Sequence, residues 1–513
     1  MRKFVYSFRA VFLGLIIAQV LSTLSVYSSN TELFRSTQAL LEAGYLAVPN
    51  SNTVNTLTTF GAAFFGGMFF TFSIGAGLSL LSFYVEYIWD RFFARNEYFL
   101  IPFLIFWLWC IISVNDKGIC RIPTAYFLFI PTAVFAASVL LPHETSEDTR
   151  LKLATHFICL TALTIIASSQ MNTDIFLKIR DNLLLSNPAG MKLNDFYYRY
   201  TLYAAQVFKS QNQKLIKTCR LSLIDDPLLL QQMKKHLLNN DYLVLDKDDP
   251  DITADLEIIK IQDTLDFKIK VWTILQTSPR EFLQYPQDTL KQFSANSDKH
   301  AFFRAFTFYS LSAVVLLLFY FAAYSLCQGI CRIFIKTAGR FINPANAGFT
   351  QNQETEVVGA GILCLIMGAI VFISLGIGNK DYRDSDELSV MLASENWRQR
   401  VTALRYIAKN NIDIGSFPGY VRLLDSPYVP DRYWLARAMS RSRSPEIYEG
   451  LTRLLEDSNF NVVYSAIYAL GEHGNKEAVP KILREIAASD NWYVQLYAYK
   501  ALRKLGWTQT KLH

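Results

Sequence analysis

Charge is scarce in this chain: Asp, Glu, Lys and Arg make up only 18% of 513 residues, and there are six histidines. The formal net charge of +6 is spread thinly, so the dense positive footprint of a nucleic-acid binder is missing and no nucleic-acid partner is expected. Seven cysteines fall at no metal-binding spacing. CQGIC (Cys327 to Cys331) has no second pair to complete a site and reads as packing, and HETSE (143 to 147) lacks the second histidine of a zinc helix. Phosphate loops and nucleophile motifs are missing too. No cofactor, metal or catalytic residue is therefore expected, and an enzyme would have to rest on a loose set such as Arg199, Asp195 and Asp225.

What the chain has is apolar length. Hydrophobic residues reach 51% and aromatics 14%. A bilayer core of about 30 Å needs roughly 20 apolar residues in a helix. Stretches of that kind stand near 4 to 27, 57 to 85, 98 to 115, 122 to 141, 153 to 170, 304 to 327 and 357 to 378, which predicts about seven spans. The first resembles a signal peptide, but Arg9 and the lack of a small-x-small cleavage site favour a retained anchor. Cys110, Cys159, Cys327 and Cys364 fall in or beside these stretches as small hydrophobes. Arg9 and His156 stand near span ends, where a long or amphipathic side chain reaches the headgroups. No carboxylate falls inside any stretch so drawn, which argues against an ion-coupled transporter.

Basic residues in short loops are retained on the cytoplasmic side. Arg2, Lys3, Arg91, Arg95, Arg150, Lys152, Arg332, Lys336 and Arg340 then lie inside, against Lys117 and Arg121 outside. This orientation predicts a cytoplasmic N-terminus, with residues 171 to 303 and the tail on the outer face, the periplasm of a bacterial inner membrane. Small residues recur every fourth position in the second stretch, including Gly67, Thr71 and Gly75, and Gly368 continues such a row in the seventh, so neighbouring helices can approach closely there. Arg332, Lys336 and Arg340 form a basic helix end suited to lipid headgroups.

The insertion between the fifth and sixth stretches is too long for a connector and predicts a small α+β domain. MKLNDFYYRYTLYAAQVF is helical in period, with Phe196, Tyr200, Tyr203 and Val207 on one side. YLVLD, LEIIKI and LDFKIKVWTI alternate like three strands, the last two as a hairpin that lines up Phe267, Ile269 and Val271. Asp246, Asp248, Asp249, Asp251 and Asp255 between them read as a solvated loop, because a calcium loop would need a central glycine and a closing glutamate. Asp225 and Asp226 before Pro227 read as a helix cap, and Cys219 shares the outer face with Cys120, either as a pair or as free thiols.

The tail repeats itself. SENWRQRVTALRYI (394 to 407) and SDNWYVQLYAYKAL (489 to 502) each place an alanine six residues after Trp, at Ala403 and Ala498, and the same step links Phe460 to Ala466 and Pro430 to Ala436. Spacings near 30 residues, each with an apolar helix before the corner, are those of a two-helix solenoid unit. NFNVVYSAIYALGEHGNKEAVPKIL resembles the HEAT-like repeat of the short type also found in phycobilisome lyases, over about 388 to 505. That resemblance implies a curved α-solenoid whose concave face binds proteins and which brings no catalytic residues. Arg400, Arg405, Arg432, Trp434, Arg437, Tyr468 and Tyr497 are the candidate partner contacts, since interfaces concentrate Arg and aromatics.

The expected fold is mainly α: membrane spans over 1 to 170 and 304 to 378, a loop domain over 171 to 303 and a solenoid over 379 to 513. The expected function is an inner-membrane scaffold or assembly subunit that binds lipid through its bundle and partner proteins through its repeats. The alternative is a transport or lipid-handling component.

Overall fold

A computed structural model describes residues 2–140, 149–170, 177–246, 249, 252–342, 349–376, 385–442, 444–509 and 511. Long apolar helices make the bundle. They are α1 (Arg2–Glu42), α2 (Phe60–Phe70) continued through a π turn (Thr71–Gly75) into α3 (Ala76–Phe93), α4 (Leu100–Val114), α5 (Arg121–Leu140) and α6 (Thr149–Gln170). Among the described residues, five segments are long and apolar enough to cross a membrane: Arg9–Glu42, Phe60–Asp90, Glu97–Val114, Arg121–Leu140 and Ala301–Ile335. Thr355–Val371 is a shorter apolar helix. Length and composition thus support five of the seven expected spans.

Close packing explains the small residues. A Cβ on Gly67 would lie 3.0 Å from the backbone nitrogen of Thr23, and one on Gly75 would collide with the Ala18 methyl, so α1 lies directly against α2 and the π turn. Thr71 opens that turn and donates to Gln19 Oε1 (2.8 Å), while Gln19 Nε2 donates to the Phe64 carbonyl (2.9 Å). Ser22 and Tyr126 share a buried hydroxyl contact at 2.6 Å. One expectation is overturned here. The second apolar helix does not stop at 85, and Glu86 is fully buried within it.

The segment between α6 and the next long apolar helix opens with a π turn (Arg180–Leu184) and α7 (Pro188–Gln206). It continues through β1 (Lys217–Ser222), α8 (Pro227–Asn239), β2 (Tyr242–Val244), β3 (Leu256–Ile261), β4 (Thr264–Ile269), β5 (Trp272–Thr277), α9 (Pro279–Gln284) and α10 (Pro286–Ser297). The sheet has five strands in the order β2-β1-β3-β4-β5, rather than three, with β1 parallel to both neighbours and the last pairs antiparallel. The expected strand over 265 to 274 is two. Lys270 takes a left-handed φ of 55°, which turns the chain and puts Val271 on an exposed tip instead of beside the fully buried Phe267. Asp226 caps α8 by accepting from the Leu228 and Leu229 amides. Cys219 is buried in the sheet core while Cys120 lies near the Lys299 carbonyl (3.8 Å), and both are free thiols.

Two further bundle helices follow, α11 (Ala301–Ile342) and α12 (Phe349–Gly376). A Cβ on Gly368 would lie 2.5 Å from Leu163, so α12 is seated on α6. His156 is engaged inside the bundle: its Nδ1 is 2.7 Å from the Tyr320 hydroxyl, and its ring lies edge-on to Tyr324.

The tail begins with α13 (Ser385–Ala393), α14 (Trp397–Asn410) and a 3-10 helix (Pro418–Asp425). It continues with α15 (Val429–Met439), α16 (Pro445–Leu454), α17 (Phe460–His473), α18 (Val479–Ala488) and α19 (Trp492–Lys504). Asn396, Asn459 and Asn491 cap α14, α17 and α19 through their side chains. Ala403, Ala436, Ala466 and Ala498 are fully buried where adjacent units meet. Gly471 belongs to the same logic, since a Cβ there would lie 2.9 Å from the Ala501 methyl.

Candidate partner-binding site

The second helix of each unit (α14, α15, α17, α19) turns one face away from the stack, and the candidate contacts divide between the stack and that face. Arg400 and Arg432 belong to the stack. Arg400 pairs with Asp431 of the next unit (2.6 Å) and Arg432 with Asp457 of the one after (2.5 Å), so both guanidiniums hold units together. Burial raises the Asp431 pKa above the usual carboxylate range despite the Arg400 contact. Such a pair costs a great deal to break and is poorly placed to greet a partner.

Trp434 is also engaged, by the chain itself. Its Nε1 donates to Asp181 Oδ2 (2.7 Å), and Arg180 lies 4.1 Å from the centre of the Tyr433 ring while bonded to Asp181 (2.7 Å). Arg180 and Asp181 retain only 10% and 2% side-chain exposure, so the segment is plugged into the repeat face. Burial works against the Arg180 charge, but Tyr433, Asp181 and Tyr464 outweigh it and hold its pKa well above the ordinary value. Helix α7 continues the cover, with Tyr198 against Tyr493 (4.5 Å) and Phe460 (5.3 Å). A Cβ on Gly190 would strike the Leu183 carbonyl, which explains a glycine where the π turn folds onto α7. The tyrosine-rich helix therefore packs between bundle and tail.

The last unit is held by amides. Asn50, in the loop after α1, donates through Nδ2 to the carbonyls of Ile486 (2.7 Å) and Ser489 (2.9 Å), and its backbone amide donates to Gln495 Oε1 (2.8 Å). Gln495 Nε2 donates in turn to Thr53 Oγ1 (2.8 Å). These bonds satisfy carbonyls that the end of α18 leaves open. Below this hook, Arg503 pairs with Asp241 (3.1 Å) and also reaches the Leu238 carbonyl. Lys511 pairs with Asp249 (3.0 Å), which also accepts from the Tyr45 hydroxyl (2.9 Å). Burial lifts the Asp249 pKa, but the Lys511 and Tyr45 bonds outweigh it and set it below the usual range. The aspartates between the strands are thus anchors where they are described, since Asp255 likewise bonds Lys214 (2.5 Å) and the Thr218 amide (3.0 Å). Asp248 and Asp251 lie outside the described residues.

Arg405, Arg437, Tyr468 and Tyr497 remain half-buried at the edge of the covered face. Arg437 lies 3.8 Å from the Tyr468 ring centre, Arg405 5.0 Å from that of Trp434, and Tyr497 stacks on Tyr464 at 4.8 Å. Of the headgroup candidates, Arg332 is exposed and pairs with Glu356 (2.9 Å), while the side chains of Lys336 and Arg340 lie outside the described residues. Among the described residues no group of three His, Cys, Asp or Glu side chains could hold a metal ion.

Sequence reasoning missed Asn50, Arg180, Asp181 and Gln495. Asn50 follows Pro49 and reads only as a cap, which it also is, accepting from the Thr53 amide. Arg180 and Asp181 carry no local mark, because their partners lie some 250 residues away. No curated protein and no solved structure matches the chain. The family model for HEAT repeats matches residues 418–506, so this C-terminal region is a HEAT-repeat array.

Proposed function

We propose that the chain is an inner-membrane scaffold or assembly subunit with seven spans, whose repeats are clamped to the outer face of its own bundle and bind partner proteins along their uncovered edge. The docking carries this reading. Residues 45–53, 180–198, 238–241 and Asp249 contact the tail, which supports a common side of the membrane for them and the repeats. Three crossings between 53 and 180, namely α2–α3, α4 and α5, would separate them; α6 as a further span restores the parity, and α12 does the same for α11. The basic loops then face the cytoplasm and the repeats the periplasm.

HEAT arrays serve protein–protein contact through aromatic and Arg-rich surfaces. Here Arg405, Arg437, Tyr468 and Tyr497 are the residues left for that task. Crosslinking and pulldown from native membranes should lose partners in the triple variant R437A/Y468A/Y497A but keep them in K476A, which lies elsewhere on the tail. An unchanged partner set in the triple variant contradicts the proposal.

A specific observation also favours transport as a second reading. Thr71, Ser79, Ser82 and Glu86 are buried at helical spacing along the π turn and α3, beside the Ser22–Tyr126 contact. Such a line gives a proton or cation a polar route. Equal proton flux in proteoliposomes of wild type and E86Q would rule against it.

A further inference from the structure

The β4–β5 turn carries an apolar tip that none of the described residues covers. Val271 is 82% exposed and Trp272 72%, next to Lys270, which is also exposed. A Trp and Val side by side in water on a two-residue turn cost solvation that a strand end does not require.

The position of the turn indicates what covers it. Ile269 pairs with Trp272, Lys268 with Glu257, and Leu256 with Cys219, so the tip lies at the sheet end where β1 and β3 begin. That end is tied to the bundle. Gln211 donates to the Asp255 carbonyl (3.3 Å) and the Asn212 amide to Ser294 Oγ (3.2 Å), near the end of α10. Just beyond, Arg304 in the first turn of α11 donates to the Phe208 carbonyl (2.8 Å), and Lys117 in the α4–α5 loop reaches the Ala295 carbonyl (2.5 Å). The tip therefore lies at the sheet end that is tied to the segments entering and leaving the long apolar helices. Ile119, in the same α4–α5 loop as Lys117, is likewise exposed (87%).

We propose that the 269–272 turn is a lipid anchor of the loop domain, with Trp272 and Val271 seated at the headgroup–acyl boundary of the bilayer that holds the bundle and Lys270 among the lipid phosphates. Trp is the side chain that favours this boundary, and Lys reaches outward from it. The anchor fixes the tilt of the sheet, and through Asp241 and Asp249 it fixes the seat of the last repeat.

The inference rests on the bundle lying in a bilayer, and the test separates the two. The full-length V271C and F319C proteins, each labelled with an environment-sensitive nitrobenzoxadiazole, are reconstituted in phosphatidylcholine–phosphatidylglycerol vesicles, with wild-type labelling as the background. Phe319 is 67% exposed on α11 and reports the bundle alone. The anchor predicts blue-shifted emission at 271, quenching by lipids with nitroxide near the headgroup, and several-fold lower iodide quenching than free dye. Water-like emission and full iodide quenching at 271, with 319 quenched by acyl-chain nitroxide, overturn the anchor alone. Loss of acyl-chain quenching at 319 overturns the membrane reading. A probe at 271 that is open to iodide in vesicles but protected in native membranes assigns the tip to a protein partner and also overturns the lipid anchor.

Discussion

The middle repeats and the last repeat are joined to the rest of the chain by different chemistry. At Tyr433, Trp434 and Tyr464 the joint is a buried ion pair, Arg180–Asp181, wrapped in rings. At Ile486, Ser489 and Gln495 it is a set of neutral amide bonds from Asn50. A buried charge is all-or-none, since removing one partner strands the other, whereas amide bonds fail one at a time and by small steps. On that ground the first joint is expected to decide whether the repeats dock, and the second to adjust how the last repeat is seated.

The largest effect is expected at Asp181. D181N leaves Arg180 buried without its carboxylate and should destabilise docking by about 3–5 kcal/mol. Limited proteolysis after α12 and thermal melting of the purified protein would show an early release of the tail. The double variant R180M/D181L should recover part of the loss, because an apolar pair leaves no stranded charge, while Trp434 Nε1 still loses its acceptor. N50A removes several amide bonds and uncovers the carbonyls at the end of α18; a loss of about 1–3 kcal/mol is expected, read as faster hydrogen exchange confined to α18 and α19.

Lys209 makes the seat of the last repeat sensitive to pH. It lies 5.8 Å from the Trp492 ring centre, and burial, with help from Lys500 and Lys214, pushes its pKa down to about 8 from an ordinary 10.5. The charged form is disfavoured in the folded chain, so the penalty is fully present below pH 8 and fades as pH rises from 8 towards 10.5. Melting temperature of the last repeat relative to K209M should therefore converge over that interval. The smallest effect belongs to Asp249. Its lowered pKa means the Lys511 contact contributes above the usual carboxylate range and is lost as pH falls through the folded value, and D249N should cost under about 1 kcal/mol, since Lys511 is partly open to solvent.

The same contrast separates what a sequence discloses from what it hides. Periodic features were legible: the Trp397 and Trp492 corners, the alanines at the unit seams, the long apolar helices and the strands LEIIKI and YLVLD all repeat at the spacing their geometry demands. Features set by distant partners were not. The span drawn to residue 85 follows falling hydropathy, but α3 runs on to Phe93 because packing inside the bundle shelters Glu86. Val271 continues the alternation of its strand, and only the left-handed Lys270 breaks it. Arg400 and Arg432 look like interface arginines until Asp431 and Asp457 are seen opposite them in the next units. Docking of the tail on the bundle is written in pairs such as Asn50 with Ser489, which share no local pattern.

In the proposed arrangement the α1 loop, the loop domain and the repeats stand together on one side of the membrane. Single cysteines at the exposed positions Ser51, Lys234 and Lys476, labelled with a membrane-impermeant maleimide on intact spheroplasts, test it most directly. All three should label from outside before lysis, at comparable rates. Protection of Lys476→Cys until lysis, with Ser51→Cys labelled, would place the repeats on the opposite side and contradict the docking.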